Sequence, residues 1–213
     1  LIGGNGAGKS TLLLHLNGYL AATRGEVRIG DTIVTRETAA LARRAVGMVF
    51  QDPDDQLFMP TVAEDVAFGP LNAGLPADQV ESRIASALDR VGMAHLRERP
   101  PYRLSAGEKR AVAIASVLAM SPDILVMDEP SSNLDPRARR RLIRHLLSFE
   151  HTKIIATHDL ELVVEVCRHA LVMDDGRIVA RGPAVEILAD ENLMLAHGLE
   201  RPHSLRHAHP SRP

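Results

Sequence analysis

Along the chain, short uninterrupted apolar runs alternate with longer stretches whose apolar residues recur at helical spacing. Ala45–Phe50, Ile124–Met127 and Ile154–Thr157 have strand length and almost no polar face. That pattern predicts strands buried on both sides of a sheet, as in a parallel sheet covered by helices. Val80, Ile84, Ala87, Leu88 and Val91, with charges between them, predict a helix from Pro76 to Gly92. Thr61 with Glu64 reads as a capping box for a short helix through Phe68, and Ser105 with Glu108 as another, opening an apolar helix to Met120. Asp135-Pro136 pairs an N-cap with an N1 proline before the helix Arg137–Ser148, and a further helix is expected around Leu160–Cys167. Gly25–Asp31 with Ile33-Val34 reads as a short strand and turn. Ala170–Met173 and Arg177–Ala180 flank Asp174-Asp175-Gly176 as a β-hairpin, and Gly182-Pro183 opens a last helix.

Alternating strands and helices predict an α/β fold with a mostly parallel sheet. We expect one domain over 1–213: a core from 1–60 and 121–200, an inserted helical subdomain at 61–120, and a flexible tail at 201–213. Composition changes this little. The chain has 213 residues, 45% hydrophobic and 24% charged, the balance of a globular protein with a sizeable core. A net charge of −2 gives no general argument for a nucleic-acid or anionic-membrane partner. The basic run Arg137–Arg144 lies in a predicted helix and reads as a solvated face. Cys167 is the single cysteine, so no internal disulfide is possible and a reducing compartment fits. The first strand is two residues long and no initiator Met precedes it, which points to upstream strands outside the sequence.

Candidate chemistry begins at Leu1–Thr11. Gly3, Gly8, Lys9 and Ser10 satisfy G-x-x-x-x-G-K-[ST], between a strand end and the helix-compatible Leu12–Leu16. Glycines let backbone N–H groups turn inward and cradle phosphate oxygens, and the following helix presents its positive end to them. Lys9 can reach the outer phosphates, and the Ser10 hydroxyl can ligate Mg²⁺. Asp128 and Glu129 lie at the carboxyl end of an apolar strand, the edge where open parallel sheets bind ligands. There Asp128 is placed to hold Mg²⁺, and Glu129 to act as general base towards an attacking water. Gln51 and His158 follow apolar strands in the same way. Gln51 offers a neutral amide to Mg²⁺ and the water, and His158 a contact to the γ-phosphate.

The order of these segments resembles the ATP-binding-cassette (ABC) ATPase family over nearly the whole chain. Gly3, Gly4, Asn5, Gly6, Ala7, Gly8, Lys9, Ser10 and Thr11 look like its Walker A motif, and Gln51 like its Q-loop. Leu104-Ser105-Ala106-Gly107-Glu108 looks like its signature, Ile124–Glu129 its Walker B, Ser131–Asp135 its D-loop with Asp135, and His158 its switch histidine. The resemblance implies a P-loop NTPase (RecA-like) core and ATP and Mg²⁺ as cofactors, with Mg²⁺ held through Ser10, Gln51 and Asp128. It also implies a head-to-tail dimer with a second ABC ATPase subunit, identical or related. Ser105 and Gly107 of one chain would then meet the γ-phosphate bound at the partner's Lys9. Ala106 stands where the family has glycine, and Glu108 where it has glutamine.

Val49–Phe58, Val66–Asn72 and Pro100–Ser105 narrow the resemblance to the ATPase subunit of energy-coupling-factor transporters, towards the cobalt/nickel branch. That implies a transmembrane coupling subunit, a substrate-binding membrane subunit and a place at the cytoplasmic face of the cell membrane. Leu57, Phe58 and Met59 would offer an apolar groove floor to a helix of the membrane subunit. The alternatives are the same engine serving vitamin uptake, or a soluble ABC ATPase outside transport. The latter is disfavoured because the interval between Gln51 and Ser105 lacks cysteines and sustained heptads. His197, His203, His207 and His209 invite a metal reading, but no cysteine or carboxylate accompanies them in the sequence, and a solvated tail is the expectation.

Overall fold

A computed structural model describes residues 1–206, and the expectations for His207 and His209 lie outside them. After the glycine loop come α1 (Lys9–Leu16), the two-residue strands β1 (Arg28–Ile29) and β2 (Thr32–Ile33), and α2 (Ala39–Ala45). β3 (Val46–Val49) leads into the helical segment α3 (Val62–Asn72), α4 (Ala77–Arg90) and α5 (Ala106–Leu118). The chain then returns through β4 (Ile124–Asp128), α6 (Pro136–Ser148), β5 (Thr152–Ala156) and α7 (Leu160–Val166). β6 (His169–Asp174) and β7 (Arg177–Pro183) form the hairpin, followed by α8 (Ala184–Ala189), α9 (Glu191–Ala196) and α10 (His203–Arg206).

β3, β4 and β5 form a parallel sheet, with Val46 opposite Ile124 and Ile124 opposite Thr152. Leu1 and Ile2 extend it. The Leu1 nitrogen donates to the Ile155 carbonyl at 2.7 Å, and Thr157 N–H donates to Leu1 at 3.0 Å. On the other side Ile2 N–H donates to Leu171 and Met173 N–H to Ile2, both at 2.8 Å. Two residues therefore join the parallel sheet to the antiparallel β6–β7 hairpin, which turns through Asp175 and Gly176, both at positive φ.

Both capping boxes form, each with the hydroxyl taking the N3 backbone N–H and the glutamate reaching back to the N-cap. α4 buries Val80, Ile84, Ala87 and Leu88 on one face, as its spacing predicts. α3, α4 and α5 do not enclose a core of their own. Val62, Val66, Ile84 and Ile114 belong to one continuous cluster with Leu125, Met127, Leu142 and Ile155 of the sheet and its covering helices. α5 makes that connection, being buried along most of its length.

Several local expectations change. α3 runs past Phe68 to Asn72 although Pro70 lies inside it, because Pro70 is itself buried and its packing outweighs one missing N–H bond. α5 ends at Leu118, two residues before Met120. Ala39–Ala45 is a helix that the apolar pattern does not reveal; its Ala, Leu and Arg are all good helix formers. Residues 201–206, expected in a flexible tail, instead carry α10, with Pro202 buried and Leu205 packed on the β6–α8 cluster.

Candidate functional site

α1 begins at a glycine because its N-cap, Gly8, has φ 98°, a left-handed conformation that costs a side-chain-bearing residue energy. The loop before it is braced from behind by the hairpin turn, where Gly176 N–H donates to the Ala7 carbonyl at 3.0 Å. Lys9 is buried within the loop, and its ammonium donates to the carbonyls of Gly3 at 2.9 Å and Gly4 at 3.1 Å. With three N–H donors and two of these acceptors, it retains one donor for an anion outside the loop.

Asp128 and Glu129 leave the end of β4 and turn in different directions. Glu129 has φ 45°, a strained conformation for a non-glycine residue of the kind that collects at functional sites. The turn brings its carboxylate back to the end of β5. Oε2 accepts from the Thr157 hydroxyl at 3.0 Å and lies 2.9 Å from the His158 Nδ1, while Oε1 accepts from the His158 N–H at 3.1 Å. Thr157 is fully buried, and its hydroxyl also accepts from Asp159 N–H at 3.0 Å. Asp159 in turn caps α7 and pairs with Arg139 of α6 at 3.0 Å. Asp128 is 5% exposed, and its Oδ1 makes no hydrogen bond among the described residues. Burial pushes its carboxyl above the ordinary range, and the Ser10 hydroxyl bond offsets this in part. An orphaned buried carboxylate oxygen beside a serine hydroxyl, with Gln51 lining the same cavity, is a hard-oxygen donor set, and it fits Mg²⁺.

An open cavity of about 450 Å³ brings together Asn5, Gly6, Ala7, Gly8, Lys9, Ser10, Thr11, Gln51, Asp128, Glu129 and His158. Gly3 and Gly4 stand behind it as acceptors for Lys9. Ser105, Ala106, Gly107, Glu108 and Asp135 do not line it. Ser105 and Ala106 are exposed at the start of α5, while Gly107 is pressed against α6, where a Cβ would come 2.7 Å from that of Ala138. Glu108 is held by the Ser105 N–H at 2.8 Å, which with the Ser105 hydroxyl keeps its carboxyl below the ordinary range. Asp135 caps α6 through the N–H groups of Arg137 and Ala138, both at 2.8 Å, and those bonds lower its carboxyl too.

Two contributors carry no local sequence signal. One is Thr157, hidden as the last residue of an apolar run. The other is Arg110, which reaches the Phe50 and Gln51 carbonyls from α5. Leu57, expected in a docking groove, is instead buried in the core. Phe58 is 61% exposed and stacks edge-on with the half-exposed Phe68 at 5.0 Å. His197 bonds Asp174 at 2.8 Å, and the described residues contain no group of three or more His, Cys, Asp or Glu arranged to hold a metal. No helix among them is long and apolar enough to cross a membrane.

The chain is similar to known proteins in sequence and in fold. A family model described as ABC transporter matches residues 1–132. An ABC transporter ATP-binding protein of Geobacter sulfurreducens is 63% identical over 97% of the chain and 83% of its own length. The energy-coupling factor transporter ATP-binding protein EcfA of Methanothermobacter thermautotrophicus is 47% identical over 95% of the chain and 67% of its own length. Among solved structures, CbiO1 from Clostridium perfringens, part of the ABC transporter complex CbiONQ, superposes with a TM-score of 0.81. It is 39% identical and covers 92% of this chain and 80% of its own. A dimeric ATP-binding cassette, MJ0796, bound to ADP and Pi in a post-hydrolysis state, gives 0.75 at 25% identity, covering 86% and 83% of the two chains. The glycine loop, the acidic strand end and these likenesses lead to one conclusion: the chain belongs to the ABC transporter family, as an ATP-binding subunit that hydrolyses ATP.

Proposed function

We propose that this subunit powers import of cobalt or nickel ions in a transporter of the energy-coupling-factor type, and that Glu129 is the base of its ATPase reaction. The observation that carries the catalytic part is the fixed Glu129 carboxylate in the same cavity as the phosphate loop. In this reading the N–H groups of residues 5–9 and the Lys9 ammonium hold the β- and γ-phosphates. Ser10, Gln51 and Asp128 would hold Mg²⁺, which would supply charge neutralisation to the bound phosphates. A water beside Gln51 attacks the γ-phosphorus and gives its proton to Glu129, and the bond to the β-phosphate oxygen breaks to leave ADP. His158 orients the carboxylate through Nδ1 and faces the γ-phosphate. Rigid donors from Thr157 and His158 prepay the ordering of the base.

A second ABC ATPase subunit, identical or related, completes the site. The exposed start of α5, with Ser105, Ala106 and the N–H groups behind them, presents a helix N-terminus to a partner's bound nucleotide. Glu108 and Asp135 hold that end and the start of α6 in place. Exposed Phe58 and Phe68, with exposed Leu71 one helical turn on, form the apolar surface for the transmembrane coupling subunit at the cytoplasmic face of the membrane. A separate membrane subunit carries the solute specificity. Relatives named EcfA and the likeness to CbiO1 of the CbiONQ complex support a transporter of the energy-coupling-factor type.

The test is uptake of radiolabelled nickel and cobalt by cells co-expressing the full-length protein with its neighbouring membrane proteins, wild type against Glu129→Gln. Metal uptake that vanishes in the variant supports the reading. Glu129-dependent ATP hydrolysis without metal uptake overturns the solute assignment and points to vitamins.

A further inference from the structure

Arg110 lies on α5, five residues beyond Ser105, and no step above uses it. It is 4% exposed, yet no carboxylate pairs with it among the described residues, and its Nε makes no hydrogen bond there. Burial accordingly pulls its pKa down, while Asp52 and Asp128 partly restore it by charge. A guanidinium in such a place is costly, and an apolar side chain of similar volume would fill the space at less cost. What it does make is a fork onto consecutive carbonyls: Nη1 donates to Phe50 at 2.8 Å and Nη2 to Gln51 at 2.6 Å. Only a planar guanidinium presents two donors in that fixed geometry.

The same stretch is tied to α5 at two further points. Gln56 accepts from Phe50 N–H at 3.2 Å and donates to the Ala113 carbonyl at 2.8 Å. Lys109 pairs with Asp54 at 2.6 Å. The loop leaving β3 therefore hangs from the helix whose N-cap is Ser105, and Arg110 holds it at the residue that enters the ATP cavity.

We propose that Arg110 is a positioning residue for ATP hydrolysis: it fixes the backbone at Gln51 so that the Gln51 amide meets the attacking water, and it makes that placement depend on where α5 sits. The proposal rests on Gln51 acting in the cavity. A shift of α5 when its N-terminus meets a partner's nucleotide is then transmitted to Gln51 through two hydrogen bonds, with no change at the phosphate loop.

A kinetic cycle on the full-length protein tests it, using Gln51→Ala, Arg110→Met and the double variant, with kcat, KM for ATP and thermal stability measured for each. The expected result is a fall in kcat of about ten-fold or more for either single variant, with KM within about two-fold, and a double variant no slower than Gln51→Ala. Arg110→Lys keeps the charge but not the fork, so its kcat lies between wild type and Arg110→Met; it also carries the cycle if Arg110→Met fails to fold. Losses that multiply in the double variant overturn the clamp while leaving Gln51 in its role. An unchanged kcat in Gln51→Ala overturns both.

Discussion

Glu129 and Thr157 show how much of the site depends on two buried contacts. The left-handed backbone at Glu129 spends conformational energy to aim the carboxylate at the end of β5, and Thr157 and His158 receive it there. Thr157→Val keeps the shape but removes a hydroxyl that donates to Glu129 and accepts from Asp159 N–H. We expect it to cost about 1–3 kcal/mol in chemical denaturation, because Asp159 N–H loses its acceptor and the buried Glu129 carboxylate keeps only its His158 contacts, and to lower kcat; Thr157→Ser should recover most of both. At this scale the sequence was partly legible. Asp128, Glu129, Gln51 and His158 could be placed because each follows an apolar strand, and strand ends of a parallel sheet share one edge. Thr157 and Arg110 could not, since a hydrogen bond between segments distant in sequence leaves no local pattern, and a threonine closing an apolar run looks like part of the strand.

The two capping boxes allow an internal comparison at the scale of the element. Thr61→Ala and Ser105→Ala each remove one N-cap hydroxyl, and each should cost about 1 kcal/mol in stability. If α5 also presents its N-terminus to a partner's nucleotide, Ser105→Ala should lower ATPase activity well beyond Thr61→Ala at equal stability. Equal activities would leave Ser105 as a cap only. Glu108 adds a pH signature. Its bonds to the Ser105 N–H and hydroxyl lower its pKa from an ordinary 4.5, so its contribution is present above that value and lost as pH falls through the folded pKa. Glu108→Gln keeps the reciprocal cap without the titration, so its Tm should fall less steeply than wild type on acidification below about pH 4.5. Helices with periodic faces or explicit caps were readable in advance. α2 was not, because seven residues of Ala, Leu and Arg show propensity without a decisive face. α3 runs longer than its local pattern predicts because its proline is held by tertiary packing, which local rules do not see.

For the whole molecule, α/β character and the order of segments follow from the alternation of apolar runs with amphipathic stretches. The joining of the parallel sheet to the hairpin through Leu1 and Ile2 does not, since two residues carry no periodicity. Nor does the sharing of one core between the helical segment and the sheet, which makes α5 a lever between the surface at Ser105 and the loop at Gln51. The apolar surface at Phe58 belongs to this scale too. Phe58→Ser should leave ATP hydrolysis by the isolated subunit within about two-fold, because an exposed ring contributes little to folding. It should also reduce recovery of the transmembrane subunit in co-purification; unchanged recovery would remove Phe58 from the interface.

The central claim is that hydrolysis depends on the carboxylate at the end of β4, and phosphate release by the full-length protein tests it most directly. Wild type and Glu129→Gln would be measured side by side, with ATP binding followed in the same samples. The account predicts that the variant binds ATP at least as tightly and hydrolyses it about 10²–10⁴-fold more slowly. Phosphate release within a few-fold of wild type would contradict it, and the base would have to be sought elsewhere in the cavity.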